Sequence, residues 1–239
     1  MVPRFYVADA LRAGGVLTLS EDAAHHAIRV LRLREGDDVT LFNGRGGEFA
    51  ARIASIQRLR MLVDVLQHRA VEREAPLRVT LVQGVSSGER MDFTVRKAVE
   101  LGVAEVHPVL AAASVARPKG ERAAARHEHW QRIAIAACEQ CGRNRIPTVL
   151  PLVPLADYRA GAGVKLLLSP ASELSLSKAG LRGEEFVLAA GPEAGFNAEE
   201  EAALVEQGFL PLRLGPRVLR TETAALAALS ALNALRGDF

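Results

Sequence analysis

The alternation of short apolar runs with longer helical stretches after about residue 77 constrains this fold most. Strand-like runs from Arg78 to Gln83, Glu105 to Leu110, Val164 to Leu168, Glu185 to Ala190 and Phe209 to Leu214 are separated by helical patterns. The helices are expected from Arg90 to Leu101, Arg122 to Cys141, Ala198 to Gln207 and Thr221 to Arg236. Near-continuous apolar strands are buried on both faces, and parallel strands need crossovers that are usually helices. The alternation therefore predicts an α/β domain with a mostly parallel sheet covered by helices.

The texture is different before Glu72-Arg-Glu-Ala-Pro76, a charged junction that contains a proline. Runs at Val39 to Phe42 and Glu48 to Ile56 flank Asn43-Gly-Arg-Gly-Gly47, a hairpin signal, and Arg60 to Leu66 alternates as a further strand. One helix is expected from Ala23 to Leu31, with Ser20 as its cap. Short strands around one small helix predict a compact β-barrel over residues 1–72, followed by the α/β domain over 73–239. A chain of 239 residues, 49% apolar, can bury the cores that this needs. No apolar run approaches a membrane span, and the start of the chain has no signal-peptide core, so a cytoplasmic protein without membrane contact is expected. A net charge of +2 does not announce a nucleic-acid binder.

Polar residues crowd the carboxyl ends of the later strands, where open α/β sheets place ligands. Leu214-Gly-Pro-Arg-Val-Leu-Arg-Thr-Glu-Thr-Ala224 follows one strand, and Gly191-Pro-Glu-Ala-Gly-Phe196 follows another. Asn197 with Glu200 forms a capping-box pattern that fixes the helix after the second loop. Gln83-Gly-Val-Ser-Ser-Gly88 is a third loop of this kind. No G-x-G-x-x-G and no P-loop pattern occurs, which disfavours a Rossmann dinucleotide site and a P-loop. Cys138-Glu-Gln-Cys141 has no second pair to complete a zinc site and sits at a helix end that does not stabilise thiolates, so no metal is expected. The C-terminal helix is apolar almost all round, which calls for burial within the domain or against a second copy.

In these segments the chain resembles the SPOUT-class RNA methyltransferases of the RsmE type. The resemblance runs over the whole chain. It is carried by Ala24-His-His-Ala-Ile-Arg-Val-Leu-Arg32, by Gly88 to Val103, by Trp130 to Pro147 with its Cys-Glu-Gln-Cys-Gly-Arg-Asn-Arg run, and by the Gly191 and Leu214 loops. It implies a PUA-like β-barrel followed by a trefoil-knotted SPOUT α/β domain, a homodimer, and S-adenosylmethionine (SAM) as cofactor. The implied activity is N3-methylation of the uridine at position 1498 of 16S rRNA, within the 30S subunit.

By the same resemblance, the cofactor residues would be Leu168, Ser169 and Pro170; Gly191, Pro192, Glu193 and Gly195; and Leu214, Gly215, Val218, Leu219 and Thr223. Arg220 would stabilise the uracil anion and Glu222 would take the N3 proton. Arg4, Arg29, Arg32, Arg143, Asn144 and Arg145 would meet the RNA. Family members usually have Gly-Pro-Glu-Gly-Gly where this chain has Ala194, a silent change if its φ is negative. Two rival readings stay open: an RNA-binding dimer without catalysis, and a SPOUT enzyme acting on another RNA site.

Overall fold

The computed structural model describes residues 2–58 and 60–239, and the chain divides into two compact units. The first comprises the residues up to Glu74 together with Cys138–Ile146, and the second holds Ala75–Ala137 and Pro147–Phe239.

In the first unit, β1 (Arg4–Tyr6), β2 (Val16–Thr18), β3 (Asp38–Phe42), β4 (Glu48–Gln57) and β5 (Arg60–Arg69) form one sheet in the order β1-β3-β4-β5-β2. Among the described residues of this sheet, only β1 and β3 pair parallel. Helix α1 (Glu21–His25) is capped by the Ser20 hydroxyl, which accepts from the Ala23 amide at 3.3 Å, and continues as a wide π-type turn over His26–Val30. Phe5, Leu41, Ile53, Met61 and Val63 are buried together as its core. β1 and β2 are three residues each, too short to leave a periodic signal in the sequence.

Cys138–Ile146 joins this unit through polar contacts that a contiguous boundary does not contain. The Asn144 side chain donates to the Val71 carbonyl at 2.6 Å, and the Arg143 guanidinium binds Glu74.

The second unit is the expected α/β layer structure. Its strands are β6 (Arg78–Gly84), β7 (Glu105–Leu110), β8 (Thr148–Val149), β9 (Val153–Pro154), β10 (Val164–Leu168), β11 (Glu185–Ala190) and β12 (Leu210–Leu212). They run parallel in the order β12-β10-β11-β6-β7-β8, with β9 also on β7. The helices are α2 (Gly88–Glu100), α3 (Glu121–Cys141), α4 (Ala198–Glu206) and α5 (Thr221–Arg236); the last turn of α3 counts with the first unit. β10, β11 and α5 have the bounds that the apolar pattern predicts. The strand expected from Phe209 to Leu214 is shorter, because Arg213 turns to bond the Leu174 carbonyl at 2.8 Å.

The capping box at α4 is complete, with Asn197 Oδ1 accepting from the Glu200 amide and the Glu200 carboxylate from the Asn197 amide. α5 buries Ala225, Ala228, Leu229 and Leu232, and Asn233 ties it to the Leu101 carbonyl at the end of α2. Its other face is partly open, with Leu235 53% exposed. Among the described residues, no helix is long and apolar enough to cross a membrane.

Candidate active site

Because β10, β11 and β12 run parallel, the loops after them all leave from the same sheet edge. There they enclose a cavity of about 450 Å³, within the range of sites that take a small molecule. Its walls come from Leu168 to Ala171, from Ala190 to Phe196, from Leu212 to Gly215 and from Arg217 to Leu219, with Thr221 and Ala224 at the start of α5. The loop after β10 is laced to β12: the Ser169 amide bonds the Leu212 carbonyl at 3.0 Å, and the Ser172 hydroxyl bonds the Pro211 carbonyl at 2.9 Å.

The backbone of the Gly191 loop is packed too closely for side chains. A Cβ on Gly191 would lie 2.7 Å from the Phe196 amide nitrogen, and one on Gly84 would lie 2.5 Å from Pro192. Gly195 has φ of +77°, a conformation that L side chains rarely adopt. Ala194 does not: among the described non-glycine residues only Arg32 and Arg58 have positive φ, so the substitution in the Gly-Pro-Glu-Ala-Gly run is free of that strain.

The polar groups at this edge are specific in placement. Buried Gln83, at the end of β6, donates to the Gly191 carbonyl at 3.3 Å and to the Thr221 hydroxyl at 3.0 Å, and that hydroxyl donates on to the Gly191 carbonyl. One side chain thus joins the cavity loop to the first residue of α5. Glu193 Oε1 accepts from the Ser87 amide at 2.8 Å and from Arg90 at 3.3 Å. Burial pushes the Glu193 carboxyl up, but the Ser87 hydrogen bonds and the Arg90 charge outweigh it and hold it below the usual range. Glu193 Oε2 and Gln83 Oε1 are buried without a partner among the described residues. Glu201 of α4 adds a second carboxylate to the cavity wall, bonded to the Ser169 hydroxyl at 3.1 Å.

Of the expected cofactor residues, Leu168, Ser169, Pro170, Gly191, Pro192, Glu193, Gly195, Leu214, Gly215, Val218 and Leu219 all line this cavity. Thr223 is exposed and does not; buried Thr221, two residues earlier, does. One residue decides between the two faces of a helix's first turn, and sequence pattern does not resolve that. Arg220 is exposed just before α5, and Glu222 lies in its first turn with Oε2 buried and unpartnered. Both flank Thr221 at the cavity rim without lining the cavity itself. Gln83, Thr221 and Glu201 were not anticipated; Gln83 ends an apolar strand run, which was the available signal.

The expected RNA residues fall into two groups within the first unit. Arg29 and Arg32 are exposed around the end of the helical segment, and the exposed Arg145 side chain makes a 3.6 Å ion pair with Glu72. Arg4, Arg143 and Asn144 are brought together but turned inward. Buried Glu48 receives Arg4 at 2.6 Å and Arg73 at 3.0 Å, Asn144 Oδ1 accepts from Arg4 at 2.6 Å, and Arg143 is engaged with Glu74. Burial raises the Glu48 carboxyl, yet the hydrogen bonds and charges of Arg73 and Arg4 bring it below the usual range. Nearby, burial pushes the Cys138 thiol up to about 12, so it is an inert core group.

Residues 73–233 match the RNA methyltransferase domain family, and residues 19–66 match the RNA methyltransferase PUA domain family. The Neisseria gonorrhoeae ribosomal RNA small subunit methyltransferase E, solved bound to S-adenosyl methionine, is 40% identical with a TM-score of 0.93, covering 100% of both chains. A Legionella pneumophila methyltransferase solved with SAM is 39% identical with a TM-score of 0.94, again over 100% of both. The ribosomal RNA small subunit methyltransferase E of Buchnera aphidicola (from Acyrthosiphon pisum) is 32% identical, covering 100% of this chain and 95% of its own. With both domain families in order and such relatives matching from end to end, the chain belongs to the ribosomal RNA small subunit methyltransferase E family.

Proposed function

We propose that the protein is a SAM-dependent methyltransferase that modifies N3 of a uridine in 16S rRNA, the one at position 1498, and that it works as a cytoplasmic homodimer on the 30S subunit. The observation that carries this reading is the cavity at the ends of β10, β11 and β12, whose lining residues coincide with the expected cofactor segments.

The residues fit the cofactor. Leu168, Leu212, Leu214 and Leu219 give a planar base apolar walls, and the tight backbone at Gly191 presents peptide groups rather than side chains. The carboxylates of Glu193 and Glu201 favour a cation, and the unpartnered Glu193 Oε2 offers an acceptor. When bound, the cofactor supplies an electrophilic methyl group on a positively charged sulfur.

The chain's own residues then have to make the uridine a nucleophile. N3 carries an imide proton and is a poor nucleophile until that proton is lost. In this reading Glu222 accepts the proton and Arg220 stabilises the negative charge that spreads onto the uracil oxygens. Thr221 between them is pinned by Gln83 and Gly191, which fixes the backbone from which both side chains project. Thr223 contributes from the outer face of the same turn. Arg29, Arg32 and Arg145 meet RNA phosphates, while Arg4, Arg143 and Asn144 set the shape of that surface from beneath.

Residues 1–72 act as the RNA-binding domain, a PUA-like barrel closed from the five-stranded sheet, and 73–239 as the SPOUT domain. The bonds from Ser169 to Leu212 and from Arg213 to Leu174 support a trefoil-knotted passage between these segments. The partly open face of α5 supports its use in the dimer.

Mass spectrometry of rRNA nucleosides from cells with and without the gene tests the reading. Loss of N3-methyluridine from the small subunit, restored by the wild-type gene but not by Arg220→Ala, is the expected result. Unchanged N3-methyluridine would sink the assignment, and failure to bind SAM would favour an RNA-binding protein without catalysis.

A further inference from the structure

We infer that the loop before α3 and the exposed face of its first turns form a second RNA-backbone contact, on the catalytic unit itself; this rests on the reading of the protein as an rRNA methyltransferase. From Ala116 to Arg126 the chain places Arg117, Lys119, Arg122 and Arg126 against one acid, Glu121. All four cations are exposed, and they line a single open groove. On α3, Arg122, Arg126 and His129 follow at intervals of four and three residues, which puts them on one face of the helix.

The charge is not consumed internally. Among the described residues, Lys119, Arg122 and Arg126 take part in no ion pair; His129 is bonded to Asp92 at 2.8 Å, and Arg117 is anchored to the carbonyls of Ala111 and Ala112. Clustered like charge works against the compact state unless a counter-charge compensates it, and a phosphate backbone provides one. The apolar face of the helix is used elsewhere, with Trp130, Ala134 and Ala137 buried, so the cationic face is not a by-product of packing.

The groove also leads to the candidate active site. A Cβ on Gly88 would stand 3.5 Å from an Arg126 guanidinium nitrogen, which puts that side chain beside the first turn of α2. The preceding residue, Ser87, donates its amide to Glu193 of the cavity wall, and Arg90 bonds the same carboxylate. Arg126 thus carries the positive charge of the groove to the first turn of α2, where Arg90 is already paired with Glu193. A strand whose uridine enters at the rim would have its flanking phosphates along this line. The contacts are to phosphate, so they add affinity and register without reading sequence.

The test measures binding of the full-length protein to purified 30S subunits lacking the modification, across a series of salt concentrations. The variant Lys119→Ala/Arg122→Ala/Arg126→Ala should bind about tenfold or more weakly at physiological salt, with a salt slope shallower by roughly 2–3, about one per lost phosphate contact. Its SAM affinity and unfolding midpoint should stay at the wild-type values. The charge-preserving variant Lys119→Arg/Arg122→Lys/Arg126→Lys should keep the wild-type slope.

A wild-type slope in the alanine variant overturns the inference. So does a photoreactive probe attached through Arg122→Cys that labels only ribosomal protein; labelling of 16S rRNA supports it. Wild-type protein that fails to bind 30S subunits at any salt would instead defeat the functional reading on which the inference rests.

Discussion

The two units handle buried polar groups in opposite ways. Around Glu48 in the first unit, one carboxylate is matched by Arg4, Arg73 and Asn144, and Arg143 is matched by Glu74. Among the described residues there, only Arg4 Nε is buried without a partner. At the cavity edge of the second unit, Gln83 Oε1, Glu193 Oε2 and Glu222 Oε2 are all buried and unmatched. An unmatched buried acceptor costs roughly 1–3 kcal/mol, so natural structures rarely tolerate several close together. The first cluster satisfies its polar groups within the fold, whereas the second leaves acceptors open at the cavity edge. Conserving stability and conserving function should therefore separate under mutation.

The largest effect is expected where polarity is fully committed. Glu48→Gln leaves Arg4 buried without its counter-charge, and breaking a buried pair costs about 3–5 kcal/mol. Urea unfolding of the full-length variant should show that loss while SAM affinity at low denaturant is unchanged. The pH dependence sharpens the point. The Glu48 carboxyl is held below its ordinary value of 4.5, so its stabilisation is fully present above that value and is lost as pH falls through the lower folded-state value. The wild type should lose this increment below pH 4.5, and Glu48→Gln should lack that part of the acid slope. Equal acid slopes in the two proteins would show that the cluster does not carry the stability ascribed to it.

The rim residues follow, with lost rate and intact stability expected. Arg220→Ala should lower kcat on 30S subunits by about 100- to 1,000-fold, the usual yield of one positioned charge-stabilising donor. Glu222→Gln should cost a similar or smaller factor, about 100-fold or more. Neither should shift the unfolding midpoint or the SAM dissociation constant appreciably. If Arg220→Ala turned over at the wild-type rate, the anion would have to be stabilised from elsewhere.

The cavity floor should respond in cofactor affinity. Gly191→Ala forces a methyl group to 2.7 Å from the Phe196 amide, and overpacking of this kind costs about 1–3 kcal/mol. Calorimetry should find SAM binding weakened by roughly 10- to 100-fold. Thr221→Val removes the hydroxyl that joins Gln83 to the Gly191 loop, for about 1–2 kcal/mol and a loss of roughly fivefold or more in SAM affinity. An unchanged affinity in both variants would mean that this loop does not form the cofactor site.

Much of the α/β unit was legible because strand and helix periods differ and the runs are long. Glu105–Leu110, Val164–Leu168, Glu185–Ala190 and Thr221–Arg236 have the bounds that the pattern gives. The Asn197 capping box was legible because its signal is local. β1, β2, β8 and β9 were not, since two or three residues carry no period and pair only through tertiary context. The cavity loops could be read from their glycines and their place after strands. Thr221 rather than Thr223 could not be, because which side of the first turn faces inward depends on how α5 docks. The inward turn of Arg4, Arg143 and Asn144 was hidden for a related reason: charged and amide side chains look alike in sequence whether they meet phosphate or a carboxylate of the same unit, Glu48 or Glu74.

The smallest effect concerns the loop between β11 and α4. Ala194 stands beside Gly195, and only the glycine carries positive φ. Ala194→Gly would therefore relieve no strain; it would only add freedom to the unfolded chain, for a loss of about 0.4–1 kcal/mol. SAM affinity should stay within about twofold, since an effect confined to the unfolded chain does not enter the binding equilibrium of the folded protein. A Gly195→Ala variant provides the contrast. Its Cβ meets nothing within 4 Å, so any loss there is conformational, about 1–2 kcal/mol for holding alanine in the left-handed region. A gain in affinity from Ala194→Gly would show that the loop must pass through a left-handed conformation at residue 194 when it closes on its ligand.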